Sequence, residues 1–180
     1  TEFLCMPTIV YEKEYPRMER IRWLYALQEW TMAALCVLAM YMIVNECLVP
    51  VMVTTDTLYD VFDNILQLGF PSLMCWLLAF YAVFHCILNA IAELTRFADR
   101  EFYLDWWNST GMDAFWRLWN RTVYKWMLRH IYMESQRRVR FFNRELATFG
   151  TYVVTAVMHE LVLINAFAMI RPWLFTMILA

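Results

Sequence analysis

A chain of 180 residues has room for roughly one or two ordinary domains, yet 62% of it is hydrophobic and only 18% charged. Surface-to-volume scaling gives a soluble fold of this size too little interior for so much apolar surface, and 3 glycines and 5 prolines exclude collagen-like or low-complexity architecture. A net charge of −2 provides no global field for nucleic acid, which is not an expected partner, so the implied solvent is lipid.

Along the chain, Trp30 to Asn45 is free of charged residues between Glu29 and Glu46, and a spanning helix is predicted over 24–50, with Pro50 near its end. Asn64 to Ala92 is 29 residues without Lys, Arg, Asp or Glu, which predicts a second span over 65–92, kinked or started at Pro71. Leu146 to Ile170 predicts a third over 146–170, apolar except for His159 and Glu160 near its middle. Trp173 to Ala180 begins a fourth apolar run. No period-two alternation suggests a barrel, so the fold class is all-α, a polytopic transmembrane helical bundle. The first residue is not Met and the chain stops within an apolar run, as expected of an internal fragment of a longer protein.

The first 92 residues are acidic in balance, whereas 93–145 carries 10 basic and 7 acidic residues together with Trp106, Trp107, Trp116, Trp119 and Trp126. Indole rings favour the headgroup layer, so this segment is expected in or on the membrane. Arg117, Arg121, Lys125 and Arg129 recur every four residues, which predicts one amphipathic interfacial helix over 113–132 with its basic stripe towards the cytosol. That stripe suits either a solvated cationic face or the phosphates of a ligand. Cys5, Cys36, Cys47, Cys75 and Cys86 are odd in number and form no CxxC, and read as small buried hydrophobes rather than disulfides or zinc ligands.

Of the three histidines, His85 reads as a packed, hydrogen-bonded residue of the second span and His130 as interfacial. His159 stands with Glu160 in mid-span, where an ionisable group costs a few kcal/mol and therefore usually faces a cavity and has a function. Thr148, Thr151 or Tyr152, Thr155 and His159 lie three or four residues apart and predict a polar stripe leading to the imidazole. A neutral histidine in a dry cavity can take a proton from an alcohol; position alone leaves catalysis and a structural role open. HExxH, GxSxG, P-loop and GxGxxG motifs are absent and no metal is expected. The sequons at Asn108 and Asn120 lie in a Trp-rich stretch and are not expected to be glycosylated.

Phe102-Tyr103-Leu104-Asp105-Trp106-Trp107-Asn108 resembles the FYxDWWN signature of the sterol and diacylglycerol branch of the membrane-bound O-acyltransferases. Leu88-Asn89-Ala90, Ala92-Glu93-Leu94 and Arg96-Phe97-Ala98-Asp99-Arg100 resemble the family's lead-in to it, and Trp119-Asn120 and Met158-His159-Glu160 resemble its WN and HE motifs. The resemblance covers essentially the whole chain, making residues 1–180 part of a single acyltransferase domain. It implies a multi-pass enzyme of the endoplasmic reticulum membrane that moves a long-chain acyl group from acyl-CoA to a lipid hydroxyl. It further implies a homo-oligomer, acyl-CoA as substrate with no separate cofactor, and no activity in the 180 residues alone.

His159 then corresponds to the catalytic histidine and Asn120 to its partner, with acyl-CoA contacts at Arg117, Tyr124, Tyr132, Arg144 and Thr155. Tyr124 departs from the family, which often has histidine there, so a cationic contact to a CoA phosphate is missing at that place. Phe3 to Tyr11, Tyr15-Pro16-Arg17, Ile21-Arg22-Trp23 and the ungapped interval from Asn120 to His159 resemble sterol enzymes, fungal ones especially. A sterol acceptor is therefore expected, with diacylglycerol as the alternative and a non-catalytic scaffold or transporter subunit as a third reading.

Overall fold

The computed structural model describes residues 2–54, 60, 62, 64–138 and 143–167. They are helical with no strand among them, and they belong to two compact units, Thr1–Asn120 and Arg121–Ala180.

In the first unit, α1 (Trp23–Ile43) runs through a π-helical turn at Val44–Leu48 into α2 (Val49–Val53). The wide turn stands directly before Pro50, which has no N–H to donate and would crowd the carbonyl one turn back. After α3 (Ile65–Phe80) comes a second π-helical turn, Tyr81–Ile87, and then α4 (Leu88–Leu94). Pro71 lies inside α3 rather than at its start. α1 packs along α3, the second π turn and α4. A short α5 (Met112–Trp119) closes the unit. In the second unit, α6 (Arg121–Met127), a π turn at Leu128–Tyr132 and α7 (Met133–Arg138) precede α8 (Arg144–Phe167). α8 packs against that π turn and α7.

Among the described residues, three helical stretches are long and apolar enough to cross a membrane: Trp23–Val53, Gln67–Leu94 and Arg144–Asn165. The first two match the predicted spans to within a few residues, and the third starts two residues before its predicted start, while its predicted end at 170 lies outside the described residues. The run from Trp173 lies outside the described residues. Leu24, Leu27, Leu35, Leu38 and Met42 are exposed along α1, the reverse of a soluble helix and suited to a lipid surround. Cys36 and Cys86 are buried, but Cys5 and Cys47 are exposed, against expectation.

The single amphipathic helix expected over 113–132 is not what forms. α5 ends before Asn120, whose φ of −137° and ψ of 87° are not helical, and the π turn at Leu128–Tyr132 disturbs the register again. Arg117 and the Arg121, Lys125 and Arg129 set therefore do not share one helix face. Asparagine's short amide competes with the helix for backbone hydrogen bonds, a local reason for the break that an i,i+4 pattern of charges does not register.

The two ends of the first unit's long spans are buckled to the N-terminal segment. α4 finishes in a Schellman-type cap, with the Arg96 N–H bonding the Glu93 carbonyl at 3.2 Å and the Phe97 N–H bonding that of Ala92 at 2.7 Å. The left-handed position that glycine usually fills is held by Arg96, at φ 59°. Its Nε donates to the Met18 carbonyl at 2.8 Å, and an antiparallel bridge joins Arg17 to Phe97. Met6, Ala92, Phe97 and Phe102 form the small apolar core beneath.

Candidate active site

His159 is exposed on α8, and its Nδ1 lies 2.8 Å from the Thr155 carbonyl oxygen. A carbonyl only accepts, so Nδ1 carries the proton and Nε2 of the neutral ring is left with its lone pair. The predicted polar stripe is present as a row but does not reach the imidazole by its hydroxyls. Thr148, Thr151 and Thr155 each donate to the carbonyl four residues back, at 2.8, 2.8 and 2.9 Å, and Thr155 Oγ1 also meets Met127 Sδ at 3.0 Å. Such back-bonding satisfies hydroxyls inside an apolar helix. What serves His159 is the Thr155 backbone. Its neighbour Glu160 is buried with Ala156, four residues away, so His159 and Glu160 belong to different sides of α8.

Asn120 is half-buried at the break after α5, and the residues before it are fixed by an aromatic cluster. Trp119 stacks on Trp76 of α3 with ring centroids 4.5 Å apart and planes 7° apart. Phe80 lies 4.1 Å from Trp119, and Trp106 meets it edge-on at 4.9 Å. The Leu104 N–H donates to the Leu118 carbonyl at 2.9 Å. The string Phe102 to Asn108 is thus wrapped against the end of α5: Phe102 is in the core, Trp106–Asn108 forms a 3-10 turn after Asp105, and Trp107 is exposed.

Tyr103 takes a further place in this string. Its hydroxyl lies 2.9 Å from His85 Nδ1, in the second π turn, and Tyr81 stacks on the same imidazole at 4.8 Å. Burial first, then the neighbouring Cys86 and Asp105, raises the Tyr103 phenol above its usual range, so it meets His85 as a neutral hydroxyl. Asn89, one turn after His85, donates to the His85 carbonyl at 2.7 Å.

The remaining expected contacts are distributed over both units. Arg117, on α5, is exposed and donates to the Asp113 carboxylate and, from Nε, to the Asp113 carbonyl at 3.1 Å. Tyr124 is half-buried on α6, Tyr132 half-buried in the π turn that α8 packs against, and Arg144 exposed at the first residue of α8. Thr155 and His159 are brought together by one helical turn. Arg117 and Asn120 belong to the first unit, and Tyr124, Tyr132, Arg144, Thr155 and His159 to the second. No cluster of metal-binding side chains occurs among the described residues.

The sequence reading missed the carboxylate that ties the first unit together. Glu93 is fully buried and accepts from the Arg22 backbone N–H at 2.7 Å, from Arg22 Nε at 3.1 Å and Nη2 at 2.9 Å, and from Arg100 Nη2. The Arg22 and Arg100 guanidinium groups both lie over the Tyr25 ring, at 4.6 and 5.5 Å. The available signal was one acid closing a 29-residue charge-free run, with arginines on either side of the spans.

Spanning helices without strands among the described residues, one of them carrying a histidine whose Nδ1 meets a backbone carbonyl, define a polytopic helical membrane protein. The model of the membrane-bound O-acyltransferase family matches residues 1–179, and the chain belongs to that family. It is 40% identical over 177 residues to diacylglycerol O-acyltransferase 1 of Dictyostelium discoideum, covering 95% of this chain and 28% of that protein. Human sterol O-acyltransferase 2 is 37% identical over 162 residues, 88% of this chain and 31% of that one. Human diacylglycerol O-acyltransferase 1 is 35% identical over 184 residues, 99% and 37% respectively. The chain thus spans about a third of the length of these curated relatives.

Proposed function

We propose that the protein transfers a long-chain acyl group from acyl-CoA to the hydroxyl of a lipid, as part of one acyltransferase domain in the endoplasmic reticulum membrane. The observation that carries this reading is the His159 Nδ1–H bond to the Thr155 carbonyl, which reserves Nε2 as a base. His159 takes the proton of the acceptor hydroxyl as its oxygen attacks the thioester carbonyl. Asn120 donates its amide N–H to the oxygen that becomes negative. Collapse of the tetrahedral intermediate breaks the carbon–sulfur bond, and the CoA thiolate recovers the proton from the imidazolium. No serine or cysteine accompanies His159 on its stripe, which favours direct transfer over an acyl-enzyme. Arg117 and Arg144 are suited to CoA phosphates, because a guanidinium forms charge-assisted, often bidentate bonds to them. Tyr124, Tyr132 and Thr155 complete the acyl-CoA contacts, and the working form is a homo-oligomer.

Each of two acceptors has a specific observation in its favour. Diacylglycerol is favoured by the 40% identity to the Dictyostelium protein. A sterol is favoured by the strings from Phe3 to Trp23 and the ungapped interval between Asn120 and His159. The test is the complete protein in microsomes with labelled oleoyl-CoA and either sterol or diacylglycerol. Triacylglycerol supports the first acceptor and sterol ester the second. Neither product from an inserted protein would overturn the enzyme reading and leave a non-catalytic scaffold.

A further inference from the structure

We infer that Trp76, on α3 and outside every motif recognised in the sequence, is a positioning residue that holds Asn120 at its working place. The inference rests on the proposed role of Asn120 and extends it to a second helix. Trp119 immediately precedes Asn120, and its indole lies flat on that of Trp76, 4.5 Å between centroids and 7° between planes. Trp106 places its edge against both rings, 6.0 Å from Trp76 and 4.9 Å from Trp119.

Within this chain, Trp76 is 44% exposed and keeps one face on Trp119. Among its ring contacts are the residue before Asn120 and a residue of the FYLDWWN string. Asn120 itself sits at a non-helical position directly after Trp119. The anchoring of Trp119 therefore bears directly on where Asn120 stands. A spanning helix supplies a rigid platform for that anchor, and catalytic groups misplaced by about 1 Å can cost on the order of 100-fold in rate.

The experiment compares Trp76→Phe, Trp76→Leu, Asn120→Ala and the double variant Trp76→Leu/Asn120→Ala in the complete protein, with activity expressed per inserted, detergent-stable enzyme. Trp76→Leu keeps apolar bulk but loses the flat face; kcat should fall by roughly 10–100-fold, with the acyl-CoA KM held within about twofold. Trp76→Phe keeps a stacking face and should recover most of the rate. In the Asn120→Ala background Trp76→Leu should cost nothing further, because Trp76 acts only through Asn120.

An unchanged kcat in Trp76→Leu, or an equal loss with and without Asn120, would overturn the positioning role while leaving Asn120 in place. Full activity in Asn120→Ala would instead remove the role of Asn120, and with it this one. A Trp76→Phe variant as impaired as Trp76→Leu would show that the ring's stacking is not what matters, and would also overturn it.

Discussion

The imidazole of His159 and the carbonyl of Thr155 are joined at 2.8 Å, one turn apart on the same helix. That bond fixes the tautomer by a group no side-chain substitution removes, so the orientation of the ring is built into the backbone of α8. It requires only that α8 remain helical from 155 to 159.

Replacing His159 by Ala should therefore abolish transfer without disturbing insertion. General-base assistance is typically about 10²–10⁴-fold, and within this chain His159 lies on an exposed side of α8. Measured as product per inserted enzyme in microsomes, turnover should drop to near background. Substantial turnover by a well-expressed His159→Ala protein would end the assignment.

Asn120→Ala should lose about 10²–10³ in kcat, the cost of one donor to a developing oxyanion. The double variant with His159→Ala should be little slower than the worse single one, because groups that act as a unit are not additive. Fully additive losses would mean that the two residues serve separate steps.

Arg117 gives a prediction whose sign depends on its present partner. It is paired with Asp113 on the surface of α5, where an exposed i,i+4 pair contributes only about 0.3–0.5 kcal/mol. Arg117→Ala should raise the KM for acyl-CoA more than it lowers kcat, and Asp113→Asn should leave stability nearly unchanged while modestly lowering that KM. A raised KM in Asp113→Asn would show that the carboxylate aims the guanidinium rather than competing for it.

The three spans could be read directly, because length and absence of charge are what a bilayer selects; both ends of the first two and the start of the third fall within a few residues of the predicted ones. The interfacial helix was misread because charge periodicity reports a preference for one face, whereas the break is set by a single asparagine and by the anchoring of Trp119. Residue type suits Trp106 and Trp119 to the headgroup layer, and their rings pack against Trp76 and Phe80 of a spanning helix. Residue type says that an indole wants a half-apolar place, but not which neighbour supplies it. His159 stood out as a mid-span ionisable group. The acceptor that sets its tautomer is a backbone carbonyl, which no motif encodes.

Arg96 allows a test of the cap that ends α4. In the left-handed region a non-glycine residue costs roughly 1–2 kcal/mol, and here the arginine also bonds the Met18 carbonyl at 2.8 Å. Arg96→Ala keeps the strain and loses the bond, whereas Arg96→Gly loses both. The alanine variant should melt below the glycine variant in detergent; the reverse order would mean that backbone strain at 96 is relieved in some other way.

The carboxylate of Glu93 is the strongest structural prediction. It is fully buried and accepts four hydrogen bonds, three from Arg22 and one from Arg100. Arg22 is the residue from which α1 starts, so the carboxylate also faces the positive end of that helix, where a negative charge is favoured. Removing one partner of a buried pair leaves the other charge uncompensated and typically costs about 3–5 kcal/mol. Glu93→Ala should accordingly lower the detergent melting midpoint more than any other single change named here, and Glu93→Gln should fall between it and the parent. Gln preserves one carbonyl acceptor but turns an amide N–H₂ towards guanidinium donors. Arg22→Ala should be milder than Glu93→Ala, since its side chain is 57% exposed and its backbone N–H bond to Glu93 survives the substitution. Thermal denaturation of the purified complete protein gives the order directly. A Glu93→Ala midpoint equal to that of the parent would show that the buckle between the start of α1 and the end of α4 contributes nothing to holding the first unit together.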